Sequence, residues 1–289
     1  MSAFSMARMF AREVLGRSQQ PRGATPATLL GVDGIIAAME DGGASDGRTA
    51  AGYLYHSARI SAVIAGSNIC ADFGCGTGVQ LLQVAQLNPE IRFLGVDREP
   101  TMLARAKTAA ERVGLTNVEW MVDDITRPTV LRERAVDAVI STMTLHNLET
   151  ATDLMACTTA MASLIGTNGA VYIEDFARLK SPRSIDFFVG LNAPILHDRF
   201  ADLYRSSLNA AFALQELRDA TNRLSGTTIY STFLVPFLVV IKTADRVLAP
   251  TLRTRIHAMR DALPTAYRKD LDDLRKFFAL GGLANDPFA

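Results

Sequence analysis

A glycine-rich loop carries the clearest chemical signal in this sequence. Residues 69–78 read I-C-A-D-F-G-C-G-T-G, which predicts a short buried strand that ends near Asp72 and breaks into a loop. The loop has glycines at alternate positions, Gly74, Gly76 and Gly78. Glycine allows positive φ and close approach of a ligand to the backbone. Residues 79–87 have helical apolar spacing, so free amide N–H groups at the helix start would point into the loop. The unit is predicted to bind a nucleotide-like ligand.

The acid before the loop restricts the class of ligand. A dinucleotide fingerprint, G-x-G-x-x-G, would require its third glycine at the position of Val79. Asp72 is poorly suited to a neighbouring pyrophosphate and well suited to an ammonium group. S-adenosylmethionine (SAM) carries an ammonium and no phosphate. A nicotinamide-dependent dehydrogenase, which shares the architecture, is therefore the less favoured alternative.

Two further predicted strands also end in carboxylates. Residues 91–97 end at Asp97, about twenty residues beyond the loop, which is the distance at which a carboxylate can take a ribose diol. Residues 118–124 end at Asp123 and Asp124. Because parallel strands end at one edge of a sheet, these acids are expected to surround one ligand.

Two residues near the ends of later strands could move a proton. A predicted strand at residues 135–142 leads into Met143-Thr144-Leu145-His146, and another at 169–176 contains Asp175 near its end. A histidine placed against a reacting group can serve as a general base. His146 is the first candidate and Asp175 the second, and a structural or pocket-lining histidine is the alternative.

Strands and helices alternate through the middle of the chain. This pattern predicts an α/β fold with a doubly wound, Rossmann-like sheet of seven strands, mostly parallel with a C-terminal antiparallel strand. The predicted domains are an N-terminal helical lid at 1–65, a core at 66–245 and a C-terminal helical extension at 246–289. Residues 177–200 are predicted to be irregular.

The smaller elements follow from apolar spacing and from turn residues. The predicted helices cover residues 1–17, 28–39, 48–65, 148–164 and 203–224, with two more that begin at Pro250 and Pro264.

D-x-G-x-G-x-G at residues 72–78 resembles the first motif of the class I SAM-dependent methyltransferases. The resemblance covers roughly residues 66–243 and is nearest to the branch that methylates small molecules, in which the segment at Leu145–Leu148 often ends His-His-Leu; here Asn147 replaces the second histidine. It implies SAM as cofactor and a Rossmann-like fold. Carried over position by position, it assigns cofactor contacts to Asp72, Gly74, Cys75, Gly76, Gly78, Asp97, Arg98, Met102, Asp124, Ile125 and Thr142.

Two segments outside these motifs are expected to form the acceptor site. Tyr53 and His56 lie on the predicted helix before the first strand, where they could touch a ligand or simply face the core. Lys180 and Arg183 follow the fifth strand and could pair with an acidic group on the acceptor, or be solvated.

Composition limits the partners. Thirty basic and thirty acidic residues cancel, so no nucleic-acid partner is expected. Three cysteines are too few for a disulfide framework and fit a reducing compartment. The longest apolar run, which contains Pro236, is too short to span a membrane. A soluble, cytoplasmic chain without a metal site is predicted.

These observations predict a methyltransferase that acts on a small organic acceptor, natural-product or quinone-like. A catalytically silent SAM-binding partner subunit remains an alternative. The apolar face predicted near the C-terminus, with Leu271, Leu274, Phe277 and Phe278, is expected to pack on the core, and a homodimer surface is its alternative.

Overall fold

The computed structural model describes residues 3–16, 20–42, 47, 49–192, 197–233, 235 and 237–289. In that part of the chain the strands are β1 Ile69–Phe73, β2 Arg92–Asp97, β3 Val118–Val122, β4 Ala138–Thr142, β5 Ala170–Phe176, β6 Thr228–Ser231 and β7 Leu238–Lys242. The α-helices are α1 Ala3–Leu15, α2 Pro26–Gly42, α3 Ala50–Ile64, α4 Val79–Leu87, α5 Pro100–Arg112, α6 Ala151–Ile165, α7 Pro182–Asn192, α8 Asp198–Ala210, α9 Leu214–Thr221, α10 Pro250–Ala262 and α11 Thr265–Leu280.

The strands form one sheet in the order β3-β2-β1-β4-β5-β7-β6. The first five strands are parallel, β7 is antiparallel to β5, and β6 is antiparallel to β7. Strands β2 and β3 are added on one side of β1, and β4 and β5 on the other side. This change in strand order at β1 is the topological switch point at which such sheets bind ligands. The predicted doubly wound, Rossmann-like fold is confirmed.

Apolar side chains cover both faces of the sheet, as a parallel sheet requires. On one face Ile60 of α3 and Leu81 of α4 are fully buried with Phe93 of β2. On the other face Val139 of β4 packs with Met161 of α6. The two cores hold the carboxyl ends of the strands in fixed register.

The helix α3 is part of the core rather than a surface lid. Most of its residues are buried, and Arg59, at 1% exposure, donates to the backbone carbonyls of Ala284 and Asn285. Tyr55 stacks on Phe278 of α11 with ring centroids 5.4 Å apart. The N-terminal and C-terminal helices therefore pack against each other, and the predicted domain boundaries stay a prediction.

The region after β5 differs from the prediction. Residues 177–200, expected to be irregular, contain α7 and the start of α8. The single helix expected at 203–224 is interrupted, because Ala211 and Ala213 have extended backbone and Phe212 forms a bridge with Ala177 beside the sheet. Spacing alone did not reveal this break, since apolar residues continue through it.

Two smaller expectations also changed, and a third lies outside the described residues. Gly31 has φ +68° and kinks α2, which was expected to be continuous. The helix expected from 148 begins at Ala151, after Thr150 and Asp153 form a capping box. The expected helix start near Arg48 lies outside the described residues, as does Pro236.

No helix among the described residues is long and apolar enough to cross a membrane. The same residues contain no group of three or more His, Cys, Asp or Glu side chains that could hold a metal ion.

Candidate active site

A cavity of about 810 Å³ lies at the carboxyl ends of the parallel strands. One side, called here the loop half, consists of its lining residues between Gly74 and Arg127 together with Thr142. The other side, the helix half, consists of lining residues from α2, α3 with its N-cap, residues 143–153, β5, α8, β7 with Phe237, and α11. The predicted residues in the loop half are Gly74, Cys75, Gly76, Asp97, Arg98, Met102, Asp124, Ile125 and Thr142. The volume falls within the usual range for small-molecule sites.

The glycines of the loop have different roles. Gly74, Gly76 and Gly78 all have positive φ, +74°, +54° and +79°. A Cβ at Gly74 would lie 2.2 Å from the side chain of Thr144, whereas a Cβ at Gly76 would meet nothing within 4 Å. Gly76 therefore leaves open space at the loop tip.

Gly78 was expected to contact the cofactor, and the structure places it elsewhere. It does not line the cavity. A Cβ at this position would lie 3.0 Å from both Ala106 of α5 and the Trp120 ring. Gly78 instead lets α4 start close to α5 and β3.

Asp72 is a buried carboxylic acid with an unsatisfied oxygen. It is 1% exposed near the end of β1, it is not among the residues that line the cavity, and its Oδ1 atom has no hydrogen-bond partner among the described residues. Burial, reinforced by the nearby charge of Asp97, raises the pKa of Asp72 to about 8. A cationic ligand beside it would supply the missing partner.

Asp97 fastens the loop to the end of β2. Its Oδ2 atom accepts from Gly76 N–H at 2.9 Å and its Oδ1 atom accepts from Glu99 N–H at 3.0 Å. Burial raises the pKa of Asp97, while these hydrogen bonds partly offset the effect. The carboxylate is thus held at the cavity wall in a fixed orientation.

Asp123 and Asp124, the two acids after β3, have different hydrogen-bond partners. Asp123 accepts from the backbone N–H groups of Thr129 and Leu131, so it orders the following loop. Burial favours a higher pKa for Asp123, but these hydrogen bonds outweigh it and hold the pKa below the usual value. Asp124 bonds Thr126 through Oδ1 only, and it remains the candidate ligand contact.

His146 and Asp175 form a buried dyad. His146 Nδ1 lies 2.7 Å from Asp175 Oδ1, and both residues are almost fully buried. Asp175 also accepts from the backbone N–H groups of Phe176 and His146. Because this carboxylate is an acceptor throughout, Nδ1 carries a hydrogen, and Nε2 is the other ring nitrogen, which lies 3.4 Å from Asn147 Nδ2. The dyad gives the two catalytic candidates one joint geometry, with Asp175 orienting the ring.

The predicted acceptor residues fall into two groups. Tyr53 and His56 line the helix half of the cavity. Lys180 and Arg183 do not line it: the backbone N–H of Lys180 bonds Glu13 of α1, and Arg183 is exposed at the start of α7. The geometry therefore gives no support to a pairing of these basic residues with the acceptor.

Arg22 is a positioning residue that sequence reasoning missed. Its guanidinium donates to the backbone carbonyls of His146 at 2.9 Å and of Leu148 and Glu149. It also donates to Ala210 and lies 4.0 Å from the centroid of the Phe212 ring. No local pattern marks this residue, because its partners are more than a hundred positions away in the chain.

Comparison with known proteins agrees with this geometry. A family model described as "Methyltransferase domain" matches residues 66–211, half of the chain. The plantazolicin methyltransferase BpumL in complex with SAH superimposes with a TM-score of 0.54 at 10% identity, covering 91% of this chain and 92% of that one. A SAM-dependent methyltransferase from Aquifex aeolicus superimposes with a TM-score of 0.50 at 12% identity, over 72% of this chain and 96% of that one. At these identities the two superpositions show the fold alone.

A curated relative matches a short segment. A tRNA (guanine-N(7)-)-methyltransferase from Microcystis aeruginosa is 42% identical over 50 residues, which are 17% of this chain and 24% of that protein. The match thus spans about a quarter of that relative's length.

The fold, the glycine loop and the family match define a class I SAM-dependent methyltransferase. The chain belongs to the methyltransferase domain family, and family membership implies SAM as its cofactor.

Proposed function

We propose that the chain methylates a small organic acceptor, natural-product or quinone-like, with His146 as the general base that Asp175 positions. The observation that carries the proposal is that the glycine loop and His146, which bonds Asp175, line the same cavity.

The residues of the loop half fit SAM by their chemistry. The unsatisfied Oδ1 atom of buried Asp72 suits an ammonium group, and the open space at Gly76 suits close approach of a ligand. In this proposal Asp97 holds ribose hydroxyls and Asp124 holds the adenine amino group. When bound, SAM supplies a methyl group already activated on a sulfonium.

The chain's own contribution to the reaction is alignment and proton removal. Holding an acceptor atom in line with a methyl group supplies much of the rate enhancement. His146 Nε2 would take the proton that the acceptor loses as the acceptor's electron pair bonds the methyl carbon; the carbon–sulfur bond would break, and SAH would leave with the electron pair of that bond. A positioned base of this kind is worth roughly 10²–10⁴-fold.

A small acceptor is supported by the shape and lining of the helix half. α2, α3, α8 and α11 enclose it, and aromatic side chains such as Tyr53, Phe176 and Tyr204 line it. One neighbouring structure holds a plantazolicin methyltransferase with a triazolic desmethylPZN analog, a small organic molecule, and SAH. The balanced charge of the sequence does not favour a nucleic-acid acceptor, although the curated matches are tRNA methyltransferases.

Calorimetry with SAM and SAH tests the cofactor assignment. Two charge-assisted hydrogen bonds to ribose are worth about 1.5–3 kcal/mol each, so Asp97→Ala should weaken SAM binding by tenfold or more. Asp219→Ala, which changes an exposed acid on α9, is the matched control and should bind normally. Unchanged affinity in Asp97→Ala would refute the ribose assignment.

Turnover tests the reaction. SAH release and a gain of one methyl group in product mass should appear when the protein and SAM meet a panel of phenols, hydroxyquinones and aromatic amines. If the protein binds SAM but produces no SAH with any of these compound classes, the proposed acceptor range is contradicted.

A further inference from the structure

The ionisable groups around the cavity are distributed unevenly. Two guanidinium groups, those of Arg98 and Arg127, lie in the loop half. Among the described residues, the helix half has no lysine or arginine in its lining. The carboxylic acids in the lining of the helix half are those of Glu149, Asp153, Glu174 and Asp270.

Glu174 is the deeply buried member of this set. It lies near the end of β5 with 3% exposure and lines the cavity. Its closest polar contact in the described part of the chain is His56 Nε2, 3.5 Å from Oε1, which is too long for a strong hydrogen bond. The other ring nitrogen of His56 is already occupied by the Tyr172 hydroxyl at 2.8 Å.

Burial disfavours the charged forms of both Glu174 and His56. Burial raises the pKa of Glu174 well above its ordinary range and lowers the pKa of His56 to about 3. Because protonation of His56 is disfavoured, this side chain does not serve as the positive partner of Glu174, although the two lie 3.5 Å apart. A cationic ligand would serve as the counter-ion.

Aromatic side chains complete the wall around this acid. Tyr53, Phe176, Phe200 and Tyr204 line the same half, and the rings of Phe176 and Tyr204 have centroids 5.7 Å apart. Aromatic faces attract ammonium and guanidinium groups. An anionic acceptor would meet carboxylic acids and ring faces, both of which disfavour it.

Resting on the methyltransferase function proposed above, we infer that the acceptor is a small aromatic or apolar molecule that carries a basic nitrogen, and that Glu174 is the specificity-determining residue that pairs with this nitrogen. Asp72, near the end of β1, is a second buried acid at the carboxyl end of a parallel strand.

Matched amine and alcohol probes test the inference. Tryptamine with tryptophol, phenethylamine with 2-phenylethanol, and octylamine with octanol differ in charge and little in shape. Calorimetry on the SAH-loaded protein at neutral pH should show, in at least one pair, an amine that binds ten times or more tightly than its alcohol. No amine preference in any pair would overturn the inference.

Variants assign the preference to Glu174. Glu174→Gln should bring the amine affinity to within about threefold of the alcohol affinity, while alcohol and SAH affinities stay unchanged. Glu90→Gln removes one charge from the surface and should retain the full preference. An amine preference that persists in Glu174→Gln would overturn the role of this residue.

The measurement separates this inference from the proposed function. If the native protein does not bind SAH, the proposed SAM site is refuted. If it binds SAH but shows no preference for amines, only the inferred acceptor class is refuted. A thermal melt of Glu174→Gln confirms folding before any affinity is compared.

Discussion

The two halves of the cavity are built by different means. In the loop half, short segments that follow β1, β2 and β3 present backbone and carboxylates that are close to one another through sheet pairing. In the helix half, side chains arrive from α2, α3, α8 and α11, which are far apart in the chain. The first half is a property of the sheet edge, and the second depends on how the flanking helices pack.

Asp72 near the end of β1 and Glu174 near the end of β5 are both buried acids, and the two differ in their partners. Asp72 leaves Oδ1 unsatisfied, whereas Glu174 has a 3.5 Å contact with a neutral histidine. Both acids are costly to ionise without a ligand. We therefore expect each acid to be neutralised by a cation from a ligand.

The largest expected effect concerns Asp72. Asp72→Asn should weaken SAM binding by more than a hundredfold, since removing one partner of a buried charge pair costs about 3–5 kcal/mol. Calorimetry with SAM measures the loss. An affinity within tenfold of the native value would remove the basis for likening the two acids.

The same variant has a stability signature with a definite sign. The pKa of Asp72 is about 8 in the folded protein and about 3.9 in an unfolded chain. The folded state therefore holds the extra proton between these values, so this residue makes the ligand-free protein less stable as pH rises from about 4 to about 8. Asp72→Asn should gain thermal stability relative to the native protein at pH 9, and gain little at pH 4. Equal differences in melting temperature at both pH values would contradict the shift.

The next effect concerns the dyad at the boundary of the halves. His146→Gln should lower kcat by about a hundredfold with little change in SAM affinity, because it removes the proton acceptor and keeps the cofactor contacts. Steady-state kinetics and calorimetry together measure this split. A fall in kcat below fivefold would return His146 to a structural role.

Arg22 provides a smaller test of the helix half. Arg22→Lys keeps the charge but loses the planar fork that bonds several carbonyls of the His146 turn. We expect kcat to fall about five- to tenfold, which corresponds to about one lost hydrogen bond, with the SAM dissociation constant unchanged. Arg199→Lys, at an exposed ion pair with Asp41, is the control. An equal loss in both variants would rule out a specific positioning role.

The smallest effect is expected outside the cavity. Lys180→Ala and Arg183→Ala should each leave kcat/KM within about twofold, since neither side chain lines the site and solvated charges contribute little. Acceptor kinetics provide the measurement. A tenfold loss in either variant would extend the acceptor site beyond the helix half.

The sequence alone determined the sheet and the strand-end residues of the loop half. Glycine spacing, apolar strands and terminal acids are local signals, and pairing of β1 with β2 and β4 follows from them by the rules of parallel sheets. For this reason the sequence alone predicts Gly76, Asp97 and Asp124 as site residues. Their contacts with the cofactor stay a prediction. The prediction that Gly78 contacts the cofactor was wrong because a glycine is found both where the backbone needs positive φ and where a ligand approaches closely. The sequence alone does not distinguish these two reasons.

Only the tertiary structure decided the helix half. Glu174 and Asp175 are neighbours in β5, yet one contacts His56 of α3 and the other contacts His146, since successive residues of a strand point to opposite faces. Arg22 reaches His146 across more than a hundred residues, and no local spacing encodes such a contact. Lys180 and Arg183 seemed suited to an acceptor by charge, but the packing of α1 and α7 places them away from the cavity. The cofactor side of the site can therefore be predicted from short stretches of sequence. The acceptor side forms only when helices that are distant in the chain pack together.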